Sequence, residues 1–298
     1  MNGFLPIDKP SGVTSRAVVN RVESWFPGVK IGHTGTLDPR ATGVLVLAMG
    51  SGTRLVEQVQ QMGKTYRSRF YLGAVSTTDD ADGQIEPVPG TVAPTELQIR
   101  QFLAGMTGEI TQVPPDHSAV WVEGHRAYAL ARKGNAVDLT PRMVRIDYIR
   151  MVKYDFPHLD LEIDCGKGTY IRSIARDLGQ QLGCGAYVDE LCRTRIGPFT
   201  LKQCVSSEST PADARLHLQP LARAVTELTQ ISLPEEELLR LLYGQKLLVP
   251  RIATLPEGPE IAVLNQAGDL HSLCVIRGGR LKPLRVFMTD LKAPSTPV

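Results

Sequence analysis

Residues 32–45 read GHTGTLDPRATGVL, placing one carboxylate, Asp38, between Gly/Thr-rich loops and ahead of an apolar strand. Two chemistries compete for it. Asp-Pro is a turn signal, because Asp bonds its own backbone and Pro fixes φ at the next position. Alternatively, Asp38 is held out on a rigid loop as a reacting group, with small residues clearing space for a substrate. A carboxylate of ordinary pKa, about 3.9, is ionised at neutral pH and needs no activating base.

Other chemistries find less support. The five cysteines never fall at C-x-x-C spacing, and their odd number fits no disulfide framework, so they read as reduced and structural. The six histidines form no H-x-x-x-H pair, and no metal site is expected. Apolar content of 42% with 21% charged residues describes a globular chain with an ample core, and no run approaches a membrane span. MNGFLPIDKP lacks the basic and apolar regions of a signal peptide, so the cytoplasm is the expected location. Net charge is only +2, yet residues 1–69 carry nine basic side chains against four acidic ones, a surplus of five that allows a basic face.

The elements that must position Asp38 are short and interspersed. GFLPI is strand-like. From Thr14 or Ser15, either a good N-cap, Val18, Val22, Trp25 and Phe26 recur at helical spacing. TGVLVLAMG reads as a buried strand, and Thr53 is expected to open a second helix. KTYRSRFYL alternates, Tyr66, Phe70 and Leu72 against Arg67 and Arg69, predicting a strand with a basic second face. A helix is expected from Thr95 to Met106, an extended segment over TQVPPDHSAVWVEG, and a short helix over HRAYALARKG stopped at Gly134. VRIDYIRMVKYD and HLDLEIDC read as strands, and Thr169 as the cap of a helix carrying Ile171, Ile174 and Leu178. This order favours an α+β fold, a mixed, largely antiparallel sheet with packed helices. SSESTPADARLHLQ approaches a boundary, after which one short helix, EEELLRLLYG, and alternating segments such as IAVLN, HSLCVI and LRVF form a β-rich module. The division is placed at residues 1–230 and 231–298.

Several stretches, in order over about two hundred residues, resemble one family: IDKPSGVTS, GHTGTLDPRATGVL, KTY, DADGQI, QVPPDHSA, AYALARKG, GKGTYIRSIARDLGQQLGCGAYV and LCRTRIGPF. The family is that of the TruB-type tRNA pseudouridine-55 synthases. The resemblance implies the pseudouridine synthase fold and a cofactor-free isomerisation of uridine 55 in the TΨC loop of tRNA. In that reaction uracil is detached from its ribose, turned over and rejoined through carbon. It makes Asp38 the catalytic carboxylate, Tyr66 the ring that stacks on the extruded uracil and assists at C5, and Arg172 the partner of Asp38. Tyr170 and Leu191 match pocket-lining positions, and His33 matches the histidine that fills the space the flipped nucleotide vacates. Lys64, Arg40 and the basic strand face would then meet phosphates. The C-terminal module resembles a PUA-like appendage. The implied partner is tRNA, through its T-arm and acceptor end, with no membrane and no obligate protein partner.

Read alone, Tyr66 is more often a core aromatic of a strand, and Arg172 and His33 are more often solvated. A non-catalytic RNA-binding or RNA-folding module would explain the basic faces without requiring Asp38, Tyr66 and Arg172 together. An aspartate-nucleophile phosphotransferase would want a second Asp where Arg40 stands, and no G-x-x-x-x-G-K-[ST] loop is present. Two positions depart from the family pattern, Trp121 and Cys192, both outside the reacting groups.

Overall fold

A computed structural model of the chain describes residues 1–115, 121–122, 125–126, 139–248 and 250–288. Among the described residues, a ten-stranded sheet runs in the order Val205–Ser206, Gly3–Lys9, Thr42–Met49, Ala186–Ile196, Lys64–Leu72, His158–Cys165, Arg142–Asp155 and Gly108–Gln112, with Ile31–His33 and Phe199–Thr200 paired at its side. Thr42–Met49 meets Ala186–Ile196 in parallel, and the pairings from there to Gly108–Gln112 are antiparallel, giving the mixed α+β sheet expected. Helices cover it in two places. Ile171–Gln181 and Glu96–Gly105 bury Ile171, Ile174, Leu178, Ile99 and Leu103 against Phe70, Leu161 and Ile163. Ser15–Trp25 buries Val18, Val19 and Val22 against Leu5, Leu45 and Leu47.

A second, four-stranded sheet comprises Thr229–Ser232, Glu260–Leu264, Leu270–Arg277 and Arg280–Val286. Its segments were expected to alternate, but IAVL and LHSLCVI are buried at every position. The reason is that both faces are covered. Ile261, Val263, Cys274 and Ile276 pack with Leu238 and Leu241 of the helix Glu235–Leu242, while Ala262, Leu264, Leu270 and Leu273 share a core with Phe4, Val44, Val46 and Phe199 of the large sheet. A strand buried on both faces reads as a continuous apolar run.

Local corrections follow the backbone. Residues Gly50–Leu55 form a 3-10 turn in which Thr53 Oγ1 donates to Gly50 O, so the α-helix starts only at Val56. His125–Arg126 pairs with Trp121–Val122 as strands, and the rest of the helix expected over HRAYALARKG lies outside the described residues. Among the described residues no helix is long and apolar enough to cross a membrane.

Candidate active site

The loop that carries Asp38 is fastened on both sides of it. Thr14 takes the capping duty of the helix Ser15–Trp25 by accepting from Ala17 N. The Ser15 hydroxyl is thereby left to grip Leu37, donating to its O at 3.0 Å and accepting from its N at 2.9 Å. On the other side, the fully buried Lys9 donates from Nζ to Pro10 O, Val13 O and Pro39 O at 2.9, 2.6 and 2.9 Å. Gly12, at φ +80°, turns its N–H onto the same Pro39 carbonyl. Arg193, also buried, holds Gly35 O at 3.0 Å and Val44 O at 2.8 Å from the central strand. Close approach there requires Gly43: its φ is +94°, and a Cβ would sit 2.3 Å from Arg193 O. The Asp-Pro turn is therefore real, but its ties come from other elements and leave the Asp38 side chain to project.

Asp38 projects onto Arg172. Nη2 of Arg172 lies 3.0 Å from Asp38 Oδ2 and Nη1 3.5 Å from Asp80 Oδ2, while Nη1 also donates to Thr78 O. Arg172 is 5% exposed, whereas about a third of the Asp38 side chain is open at the cavity mouth. Burial raises the Asp38 pKa above its ordinary value, the Arg172 charge opposes that rise, and the charges of Asp80 and Asp82 add to it. The result is a carboxylate more basic than a solvated one, held in orientation by a planar donor.

Arg172 stands in the first turn of Ile171–Gln181, whose cap is not the one expected. Thr169 Oγ1 donates back to Gly166 O, and Tyr170 occupies the N-cap with no side-chain bond of its own. Gln112 fixes that end instead. Buried at 1% exposure, its amide donates to Tyr170 O and accepts from Tyr170 N at 3.0 and 2.8 Å. Ser173 Oγ and Arg176 Nη2 both donate to Val113 O, closing the joint.

A cavity of about 560 Å³ brings together Asp38, Tyr66, Arg172, Tyr170, Leu191 and Lys64. Tyr66 is 7% exposed and belongs to the core cluster of Phe70 and Ile163, yet it also forms cavity wall, so the core and site readings of this ring coincide. Burial raises its hydroxyl pKa, partly offset by the charge of Arg193, which register places opposite it. The Lys64 ammonium does not reach out toward phosphates. It is buried, donates to Gln60 O and Met62 O, and is pushed down to about 8 by that burial. His33 lies on the Ile31–His33 strand and is not among the cavity's lining residues. Its Nδ1 is buried without a partner among the described residues, and burial with the charges of Arg193 and Arg16 lowers its pKa, which favours a neutral imidazole.

The expected basic strand face is corrected. Register sets Arg67 opposite Glu162 and Arg69 opposite Asp160, and ion pairs at 3.7 and 2.8 Å neutralise both, with Glu190 and Arg150 joining the lattice. This lattice lines a separate groove of about 660 Å³ that holds neither Asp38 nor Tyr66. The polar alternation of HLDLEIDC against KTYRSRFYL could have revealed the pairing. Arg193, Gln112, Lys9 and Asp80 also escaped the sequence reading, since each acts through a contact distant in sequence.

The model of the TruB family pseudouridylate synthase N-terminal domain matches residues 24–171, and that of the tRNA pseudouridylate synthase B C-terminal domain matches residues 172–240. A tRNA pseudouridine synthase B of Ruegeria sp. (strain TM1040) is 40% identical, with 97% of each chain covered. That of Cereibacter sphaeroides is 41% identical, with 96% of each covered. Among solved structures, a chain in a crystal structure of a Cbf5-Nop10-Gar1 complex aligns at a TM-score of 0.76 and 26% identity, covering 96% of this chain and 85% of the other. A chain in an H/ACA RNP bound to a substrate RNA containing 2'-deoxyuridine aligns at the same TM-score and 24% identity, covering 98% and 87%, and shares the fold.

Proposed function

The chain belongs to the TruB family of pseudouridylate synthases, and on that premise we propose that it isomerises uridine to pseudouridine at position 55 in the TΨC loop of tRNA, without a cofactor, using Asp38 as its catalytic carboxylate. The observation that carries this reading is the Asp38–Arg172 pair at 3.0 Å on the wall of a cavity that also presents Tyr66. The reaction needs an anion fixed beside the ribose–uracil bond and an aromatic face for an extruded base. Base–aromatic stacking recovers roughly 1 to 3 kcal/mol of what the base loses on leaving its neighbours. Arg172 fixes the orientation of the Asp38 carboxylate, and Asp80 holds the other side of that guanidinium.

Tyr170 and Leu191 bound the uracil pocket in this reading, and His33 supplies a neutral ring for the space left in the RNA loop. Residues 231–298, the proposed PUA-like module, hold the second sheet apart from the first two residues of its strand Thr229–Ser232 and would meet the acceptor end, and the cytoplasm is the proposed place of action. The test is release of tritium from 5-tritiated uridine in a tRNA transcript, with and without EDTA. Release that persists in chelator supports the reading, and release abolished by chelator removes it.

A further inference from the structure

Three arginines line the cavity, and two are committed. Arg172 holds Asp38 and Asp80, and Arg193 holds backbone carbonyls. The third, Arg142, opens the strand Arg142–Asp155 in register with Gln112. Its guanidinium lies over the Tyr170 ring, 4.8 Å from the centroid. Stacking orients the fork but satisfies none of its N–H groups. Among the described residues the buried Nε and Nη2 donate to nothing, carboxylates included. Buried donors are ordinarily satisfied, and a guanidinium fork is shaped for two oxygens of one anion.

We propose that Arg142 binds the phosphodiester of the target nucleotide, a binding residue that fixes the ribose while uracil turns. The inference rests on the proposed function. In that reaction the bond from C1′ to N1 breaks, a bond from C1′ to C5 forms, and the C5 proton is lost as N1 gains one. Uracil must rotate between these events, so a firm grip on the base would hinder the reaction. A grip on the phosphate fixes C1′ and leaves the base mobile against Tyr66. The negative phosphate enters with the flipped nucleotide and remains throughout, and Arg142 is the uncommitted member of the three cavity arginines. Lys167, exposed on the same wall, adds a second cation near it.

The experiment uses the full chain and a tRNA transcript. Equilibrium binding is measured from about 50 to 200 mM salt for wild type, Arg142→Gln and Arg142→Lys, beside single-turnover tritium release at saturating enzyme. Arg142→Gln is expected to weaken binding about tenfold or more, to lower the slope of log K against log salt by about 1, and to slow single-turnover release even at saturating enzyme, because the ribose is no longer held while uracil turns. Arg142→Lys, keeping the charge but not the fork, is expected to keep the slope and lose affinity. Unchanged affinity and slope with a fallen single-turnover rate would overturn the proposal in favour of contact with the detached uracil. Unchanged binding and rate would reduce Arg142 to a packing partner of Tyr170. If Arg142→Gln shows no cooperative melting transition, Arg142→Lys decides alone, and wild-type affinity there overturns the proposal. A wild-type protein that binds tRNA but releases no tritium would instead sink the functional reading, and the salt slopes would still report on Arg142.

Discussion

Lys9→Met should cost far more activity than stability. The ammonium feeds Pro10 O, Val13 O and Pro39 O, and of these Pro39 O keeps a second donor in Gly12 N. Removal therefore strips two carbonyls and weakens the hold on the third, a loss of about 2–6 kcal/mol at about 1–3 kcal/mol per unsatisfied group. Against this stands the burial of the ammonium itself, which pushes Lys9 from 10.5 to about 8 and amounts to about 3 kcal/mol against the charged form. The net change should fall between about −1 and 3 kcal/mol of destabilisation, read by urea unfolding. Activity depends on Asp38 keeping its place, and a shift of about 1 Å can cost on the order of 100-fold. Above a pH of about 8 the lysine becomes an amine with two N–H groups for three carbonyls, so the wild-type rate should decline there and Lys9→Met should lack that decline. Lys64 titrates in the same range but ties Gln60 and Met62, so Lys64→Met should keep the alkaline decline. A Lys9→Met protein with the wild-type rate and pH profile would refute the tether.

Tyr66→Phe keeps the stacking face and should bind tRNA normally while stalling before tritium release, whereas Tyr66→Leu should lose both; wild-type turnover by both would return Tyr66 to a purely core role. His271 is fully buried, its Nε2 has no partner among the described residues, and burial lowers it to about 4 from 6.5. The unfolded chain then binds the proton first, so stability is complete above pH 6.5 and falls by up to about 3 kcal/mol as pH drops toward 4. His271→Leu should flatten that decline in urea unfolding series at pH 7 and pH 4.5, and an unchanged decline would assign it to other groups. Asp38 titrates above its ordinary 3.8, so the acid limb of the tritium-release profile should lie above that of a solvated carboxylate and move further up in Arg172→Met, where the opposing charge is gone. An acid limb that stays in place would detach Arg172 from the carboxylate.

Periodic elements were legible because one face repeats: Val18 and Val22, or Leu159, Leu161 and Ile163, are buried as the spacing required. Thr95 likewise closes a capping box with Gln98. The central strand Ala186–Ile196 was not legible, since DELCRTR interrupts the apolar pattern. Its charges have local outlets: Arg193 turns inward onto carbonyls, and Arg195 pairs with Asp164 at 2.8 Å. Asp38 stood out because its surroundings are local in sequence. The residues that hold it, Lys9, Ser15 and Arg193, lie 29, 23 and 155 positions away, and no periodicity connects them. Thr169 misled because a Thr before a helix resembles a cap, whereas Gln112 on a distant strand already bonds the Tyr170 backbone.

The central claim is that Asp38 supplies the reacting anion, and Asp38→Asn tests it with little disturbance of the fold. In that variant Arg172 keeps Asp80 and Thr78 O, so the guanidinium is not orphaned and the stability cost should stay within about 1–2 kcal/mol. tRNA affinity should remain within a few fold of wild type. The decisive measurement is tritium release by the purified variant on a 5-tritiated tRNA transcript, run beside a binding titration on the same preparation. The account predicts binding without detectable release. Release at an appreciable fraction of the wild-type rate would contradict it and return GHTGTLDPRATGVL to a turn.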